Sequence, residues 1–202
     1  MFFKSLDTPL IMGILNVTPD SFSDGGKFIQ PEMALNQVNI MIAQGASIID
    51  IGGESTRPNA QPVCAKEQIA RVVPIIEMIR QHSDITISID TTLSEVANAA
   101  LEVGATIIND VSAGLGDSTM FALAAQKNVP IVLMHAQGTP QTMQDNPYYD
   151  NVVEEVIAAL KTRVQEAINQ GIKKENIILD VGIGFGKRRQ DNLALLAHLA
   201  DF

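Results

Sequence analysis

Six short apolar segments recur along the chain, and each carries one or two polar residues at or near its end. They cover 10–17, 47–51, 85–90, 106–110, 131–135 and 177–180, and segments with helical spacing of apolar residues lie between them. Strands that are apolar on both faces show no alternation, which is typical of parallel sheets covered by helices. Six successive strand–helix units therefore predict an α/β fold.

Several helix boundaries can be predicted from local signals. The longest helix is expected over 151–170, with apolar residues on one face and Gly171 beyond its end. Pro74 lies inside a helix expected over 65–81, which predicts a kink or an irregular start. Thr92 and Glu95 have the spacing of a capping box for a helix that ends near Gly104.

The number of units leaves two architectures open. A (β/α)8 barrel closes with eight units and typically needs about 250 residues, whereas this chain has 202 residues. The pattern fits either an open α/β sheet or a barrel that lacks its last two units. In both cases the length predicts a single domain over 1–202.

Composition narrows the partners of such a domain. The net charge of −9 argues against nucleic acid or an anionic membrane surface as a partner. No apolar run approaches the length of a membrane span, and the N-terminus does not resemble a secretory signal. A lone cysteine, Cys64, suits a reducing cytoplasm. We therefore expect a cytoplasmic protein that acts on small molecules.

Polar residues at the predicted strand ends are the main candidates for a site. Asn16, Asp90, Asn109 and Asp180 end strands one, three, four and six. The carboxyl ends of parallel strands carry the chemistry in barrel and doubly wound enzymes, so these groups predict a poorly solvated pocket that binds a flat heterocycle. The alternative is that they cap the following turns. Asp50 and Asp110 are weaker candidates, because either could anchor loop backbone instead.

Cations and metal ligands are sparse. Arg57 follows strand two and could meet an anionic leaving group, or it could pair with Glu54 or Glu67 on the surface. His135 ends strand five and is expected to pack under a loop rather than bind a ligand. The sequence holds no zinc-like cluster, so a hard cation bound mostly by ligand oxygens is the metal that the residues suggest.

Six sequence motifs together resemble the dihydropteroate synthase family. They are MGILNVTPDSFSDGG (12–26), DIGGESTRP (50–58), SIDT (88–91), IINDV (107–111), LMHAQGTP (133–140) and LDVGIGFGK (179–187). This resemblance implies a (β/α)8 TIM barrel, of which six βα units are present. It also implies a sulfonamide-sensitive enzyme of folate biosynthesis that condenses hydroxymethyl-dihydropterin pyrophosphate with p-aminobenzoate.

The resemblance assigns roles residue by residue. It makes Asn16 the protein ligand of Mg²⁺, and it places Asp90, Asn109 and Asp180 on the pterin ring, with Asp90, Asp180 and Arg57 as the catalytic set. Met134 is expected in the pterin pocket and Phe185 in the p-aminobenzoate pocket. Two mobile loops are expected to cover the site; they contain Ser21, Phe22, Ser23 and Asp24, and Ser55, Thr56, Arg57 and Pro58.

Departures from the family keep two other hypotheses open. Val181 stands where the family usually has proline, and the family's strand-seven and strand-eight segments are not in this sequence, so we expect a truncated barrel with at most weak synthase activity. The alternatives are a pterin-binding module of a corrinoid-dependent methyltransferase and a non-catalytic fragment that needs a partner chain. A homodimer is kept as a candidate assembly.

Overall fold

Strands and helices alternate along the chain. The computed structural model describes residues 8–17, 31–55, 61–138, 142–143 and 145–202. In these ranges the elements are β1 (Met12–Asn16), α1 (Pro31–Ala43), β2 (Ile48–Gly52), α2 (Ala65–His82), β3 (Thr86–Asp90), α3 (Ser94–Glu102), β4 (Ile107–Asp110), α4 (Met120–Lys127), β5 (Ile131–Met134), α5 (Val152–Asn169), β6 (Ile177–Asp180) and α6 (Arg189–Ala197). Short 3₁₀ turns cover Lys174–Asn176 and Leu199–Asp201. The six predicted strand–helix units are confirmed.

The strands follow the chain order in one sheet, β1-β2-β3-β4-β5-β6. The β1–β2, β2–β3, β3–β4 and β5–β6 pairs are parallel. A doubly wound sheet reverses its strand order at a switch point, whereas strands in simple succession with helical crossovers are typical of a (β/α)8 barrel. The topology therefore decides between the two architectures in favour of six units of a barrel.

Residue contacts divide the chain into two compact units. Within the described residues, the first unit contains 8–17, 31–55 and 62–109, and the second contains 61, 110–138, 142–143 and 145–202. The single-domain prediction stays a prediction. No helix within the described ranges is both long and apolar enough to cross a lipid bilayer.

The core of the first unit consists mainly of isoleucine and valine. All five residues of β2 are buried, as expected for a strand covered on both faces. Fully buried side chains come from the strands and from α2 and include Ile49, Ile51, Val72, Ile76, Ile79, Ile87 and Ile89. β-Branched side chains pack well on a pleated sheet, which explains why these segments form strands.

The second unit has its own apolar cluster between α5 and α6. It consists of Tyr149, Val152, Val156, Leu160, Val181 and Leu195. The buried Tyr149 hydroxyl donates a hydrogen bond to the carbonyl oxygen of Gly186 at 2.9 Å. Burial raises the pKa of Tyr149 to about 12, so the hydroxyl stays a donor. The cluster thus reaches the loop that follows β6.

One predicted helix keeps its expected bounds, and the predicted start of another was wrong. Helix α2 runs from Ala65 to His82 through Pro74, close to the predicted 65–81. Its start is regular, and a kink at Pro74 stays a prediction. Pro74 is exposed, and water can solvate the carbonyl that its missing N–H leaves unpaired. The N-cap of α3 is Leu93 without a side-chain cap, because the Leu93 N–H bonds Oγ1 of Thr91 at 3.2 Å and the helix starts later than the capping box predicts.

Candidate functional site

The carboxyl ends of β1 to β4 place four residues side by side in the first unit. Asn16 pairs in register with Gly52, Gly52 with Asp90, and Asp90 with Asn109. Register partners point to the same face of a sheet, so the four residues form one layer. We call Asn16, Gly52, Asp90 and Asn109 the polar layer. The three polar side chains in it are half-buried.

Gly52 separates two oxygen atoms of the polar layer. A Cβ at this position would lie 3.4 Å from Oδ2 of Asp90 and 3.5 Å from Oδ1 of Asn16. The absent side chain therefore leaves a gap that a carboxylate oxygen and an amide oxygen both border. Such a gap can hold a group that donates hydrogen bonds or a cation that binds oxygen.

Asp50 lies one layer deeper and contacts Asn109. Oδ2 of Asp50 accepts a hydrogen bond from Nδ2 of Asn109 at 2.9 Å. Burial raises the pKa of Asp50, and the Ser88 and Asn109 side chains partly oppose this shift. Within the described residues, Oδ1 of Asp50 and Oγ of Ser88 have no partner with hydrogen-bond geometry. Asp50 therefore contacts a site residue instead of anchoring loop backbone.

Asp110 does anchor loop backbone. Its Oδ1 accepts from the backbone N–H of Ser112 at 2.8 Å, and its Oδ2 accepts from the N–H of Gly114 at 2.7 Å. Burial raises the pKa of the Asp110 carboxyl, while these bonds oppose the shift. This confirms the structural alternative for Asp110 and makes it a turn residue.

Met134 and Asp180 are register partners at the ends of β5 and β6 in the second unit. Met134 is buried, whereas Asp180 is exposed, so a poorly solvated environment was the wrong expectation for Asp180. Oδ1 of Asp180 accepts from the backbone N–H of Gly182 at 2.8 Å, the turn-capping role considered as its alternative.

A buried lysine holds the loop that follows β6, here called the glycine loop (Gly182–Lys187). Nζ of Lys187 lies 3.0 Å from Nδ1 of His135 and donates to the carbonyl oxygens of His135 and Phe185, both at 3.1 Å. A Cβ on Gly182 would overlap the His135 carbonyl oxygen, and one on Gly186 would overlap that of Gln137. The glycine loop therefore packs backbone against backbone on the segment after β5.

The two side chains of this contact influence each other's protonation. Burial lowers the pKa of Lys187 to about 8. Burial and the positive charge of Lys187 lower the pKa of His135 to about 4. The ring is therefore neutral, and its Nδ1 can accept a hydrogen bond from the Lys187 ammonium. The packing of His135 under a loop is confirmed. Sequence reasoning missed the role of Lys187, because no local pattern links it to a residue 52 positions away.

Phe185 and Arg188 are held by their neighbours in the same unit. Phe185 is half-buried, and its carbonyl is one of the Lys187 acceptors. Arg188 donates from Nε to Oδ2 of Asp191 at 2.7 Å and from one terminal nitrogen to Oδ1 at 2.9 Å. Lys187 and Arg188 thus both serve local structure.

Several predicted site residues lie outside the described residues. These are Ser21, Phe22, Ser23, Asp24, Thr56, Arg57 and Pro58. Ser55 is described and half-buried. The two carboxylates considered as partners of Arg57 have contacts of their own: Glu54 accepts from Nε2 of Gln68 at 2.6 Å, and Glu67 pairs with Arg71.

The polar layer offers oxygen ligands, which suit a hard cation. Among the described residues there is no cluster of three or more His, Cys, Asp or Glu side chains that could hold a metal ion. The amide oxygen of Asn16, with the Asp90 carboxylate across the Gly52 gap, supplies the oxygen ligands that Mg²⁺ accepts. An amide oxygen and a carboxylate oxygen are donors that fit a magnesium ion.

Comparison with known proteins defines the class. The pterin binding enzyme family matches residues 12–202. The chain is 50% identical over 197 residues to the dihydropteroate synthase of Haemophilus influenzae, covering 98% of this chain and 71% of the relative. The chain therefore belongs to the dihydropteroate synthase family of pterin binding enzymes.

Solved structures agree with this assignment. The Yersinia pestis dihydropteroate synthase in a sulfonamide drug complex superposes with a TM-score of 0.89 at 42% identity, over 96% of this chain and 70% of that one. The Xanthomonas albilineans dihydropteroate synthase with 4-aminobenzoic acid gives 0.88 at 45% identity, over 96% and 69%. The fold expected from the resemblance, a (β/α)8 TIM barrel of which this chain has six units, is confirmed.

Proposed function

We propose that this protein carries out the dihydropteroate synthase reaction of folate biosynthesis. The C–O bond between the pterin methylene and pyrophosphate breaks, and a C–N bond to the amino group of p-aminobenzoate forms, with loss of one amine proton. The observation that carries the proposal is the polar layer, in which Asn16, Asp90 and Asn109 lie in register around the Gly52 gap. This layer matches the hydrogen-bonding edge of a flat, donor-rich ring.

Recognition of the pterin is assigned to acceptor groups. Asp90 and Asn109 are the proposed carboxylate and amide acceptors, and the resemblance adds the carboxylate of Asp180. Met134, buried at the end of β5, supplies an apolar surface. A carboxylate beside the ring also favours the positive charge that develops on the methylene carbon as pyrophosphate leaves.

Departure of pyrophosphate requires stabilisation of negative charge. Mg²⁺, held by Asn16 and by oxygens of pyrophosphate, would supply that stabilisation when bound. Arg57 is the proposed protein cation for the same leaving group. The amide oxygen of Asn16 orients toward the gap at Gly52, which suits a ligand shared with substrate oxygens.

The arylamine needs placement more than activation, because its nitrogen is neutral and attacks a strongly electrophilic carbon. Phe185 is the proposed wall of the p-aminobenzoate pocket, and Lys187 fixes the backbone of the loop that carries it. The loops containing Ser21, Phe22, Ser23 and Asp24, and Ser55, Thr56, Arg57 and Pro58, are proposed to cover the arylamine and exclude water.

Compartment and assembly are part of the proposal. Cys64 is a free, exposed cysteine, which is compatible with a reducing cytoplasm. The net charge of −9 supports small molecules rather than nucleic acid as partners. A homodimer stays a prediction, which sedimentation velocity at several protein concentrations tests directly.

The first experiment measures pterin binding by titration calorimetry. Asp90→Asn removes a charged acceptor, and charge-assisted hydrogen bonds contribute about 1.5–3 kcal/mol, so the affinity should fall at least about tenfold. Asp84→Asn is the matched control, because Asp84 is exposed and lies just before the opposite end of β3. Equal affinity of wild type and Asp90→Asn would contradict the assignment, as would the absence of any pterin binding by the wild type.

A second experiment addresses the metal. Mg²⁺ should raise the affinity of the wild-type chain for inorganic pyrophosphate, and Asn16→Ala should remove most of this enhancement. Asn39→Ala, an exposed asparagine on α1, should keep it. An unchanged enhancement in Asn16→Ala would refute Asn16 as the ligand without affecting the pterin assignment.

A further inference from the structure

Asp50 is a buried acidic residue to which the proposed reaction gives no role. Its side chain is 4% exposed, and it pairs in register with Ser88, one layer below the polar layer. Burying a carboxyl group is unfavourable unless its oxygens are bonded. The hydrogen bond to Nδ2 of Asn109 at 2.9 Å satisfies one oxygen and joins Asp50 to the polar layer.

This hydrogen bond determines which way the Asn109 amide faces. The amide carries a donor nitrogen and an acceptor oxygen on opposite sides, whereas the Oδ2 atom of Asp50 acts as an acceptor. A reversed amide would place two acceptor oxygens against each other in a buried site. Nδ2 therefore faces Asp50, and Oδ1 of Asn109 is directed away from it.

The orientation of Asn109 completes a set of acceptors. Oδ1 of Asn16 and Oδ2 of Asp90 already border the Gly52 gap. With Oδ1 of Asn109 turned away from Asp50, this atom joins the two others as a third acceptor oxygen of the polar layer. A reversed Asn109 would offer a donor at one of the three positions.

We propose that Asp50 is a positioning residue that fixes the Asn109 amide with its oxygen toward the ligand, so that the polar layer accepts the N–H groups of a pterin ring. The inference rests on the proposed function, because it names how one of the ring contacts is selected. Asp50 itself does not touch the ring. Asp50 acts through Asn109: it favours ligands that donate a hydrogen bond to Asn109 over ligands that accept one.

Two substitutions separate this role from a general effect on folding. Asp50→Asn keeps an oxygen for Asn109, and its amide nitrogen can donate to the unpaired Oγ of Ser88. Asp50→Leu keeps the size and removes the acceptor. We expect pterin affinity to change less than about threefold in Asp50→Asn and to fall about tenfold in Asp50→Leu. If Asp50→Leu does not fold, Asp50→Val replaces it.

A second readout reports the amide directly. The side-chain amide signal of Asn109, assigned by its loss in Asn109→Asp, should show slow hydrogen exchange in the wild type and in Asp50→Asn. In Asp50→Leu the same signal should exchange fast, while the backbone amides of β2 and β4 stay protected. A purely structural role for Asp50 would move the backbone signals together with the side chain.

The outcomes distinguish the inference from the function on which it rests. If the wild type binds no pterin, the proposed function fails before any variant is compared. If the wild type binds and Asp50→Leu binds equally well, the positioning role is refuted. If Asp50→Asn loses as much affinity as Asp50→Leu, the charge of Asp50 rather than its acceptor geometry matters, and the inference is also overturned.

Discussion

Replacing Lys187 by methionine tests how the glycine loop is held in place. The substitution keeps a long apolar stem and removes the ammonium that contacts Nδ1 of His135 and the carbonyl oxygens of His135 and Phe185. Hydrogen bonds from a charged donor each contribute about 1.5–3 kcal/mol. The loss of three would be large if nothing opposed it.

Desolvation of the ammonium opposes this loss. The fall of the Lys187 pKa from 10.5 to about 8 corresponds to roughly 2–3 kcal/mol against the charged form, once solvent screening is allowed for. Lys187→Met recovers that cost, so three bonds at these values, less the desolvation, leave an expected net destabilisation of about 1.5–7 kcal/mol. At about 2–4 °C per kcal/mol for a domain of this size, this equals a fall in Tm of at least about 3 °C.

Thermal unfolding followed by circular dichroism measures the effect. Lys174→Met is the matched control, because Lys174 is exposed in the 3₁₀ turn before β6 and should leave Tm within about 1 °C of the wild type. Affinity for p-aminobenzoate should fall in Lys187→Met, since the Phe185 backbone loses its anchor. A Tm equal to that of Lys174→Met would refute the view that Lys187 stabilises the loop.

Three further predictions concern pH, space and an ion pair. The pKa of His135 falls from 6.5 to about 4 on folding, so the unfolded chain binds a proton that the folded chain does not, and stability should drop as the pH falls through this window. Urea unfolding should show a smaller drop for His135→Gln, and an identical drop would contradict the assignment. Gly52→Ala adds a methyl group at ordinary contact distance, so Tm should hardly change while pterin affinity falls at least about tenfold. In Gly53→Ala the new Cβ would lie 3.1 Å from the backbone of α2, so this variant should instead have a lower Tm. Asp191→Asn weakens a partly buried pair with Arg188 and should lower Tm by about 2–4 °C, an effect that vanishes if the pair contributes nothing.

The sequence alone determined the order of the elements and placed the candidate site residues at strand ends. Strands buried on both faces are apolar throughout, and this local property revealed all six of them. Asn16, Asp90, Asn109 and Asp180 could be assigned to strand ends for the same reason, because the polar residue marks where burial stops. The resemblance then supplied the chemistry that we propose for those positions.

Only the tertiary structure decided how these side chains are used. The bond from Asn109 to Asp50 joins residues 59 positions apart, and the contact of Lys187 with His135 joins residues 52 positions apart. Asp180, expected in a poorly solvated pocket, is exposed and caps a turn. Local pattern fixes whether a residue lies on a strand and whether it stands near the end of that strand. The partner and the burial of a polar group depend on strand register and loop packing, which arise from contacts between distant segments.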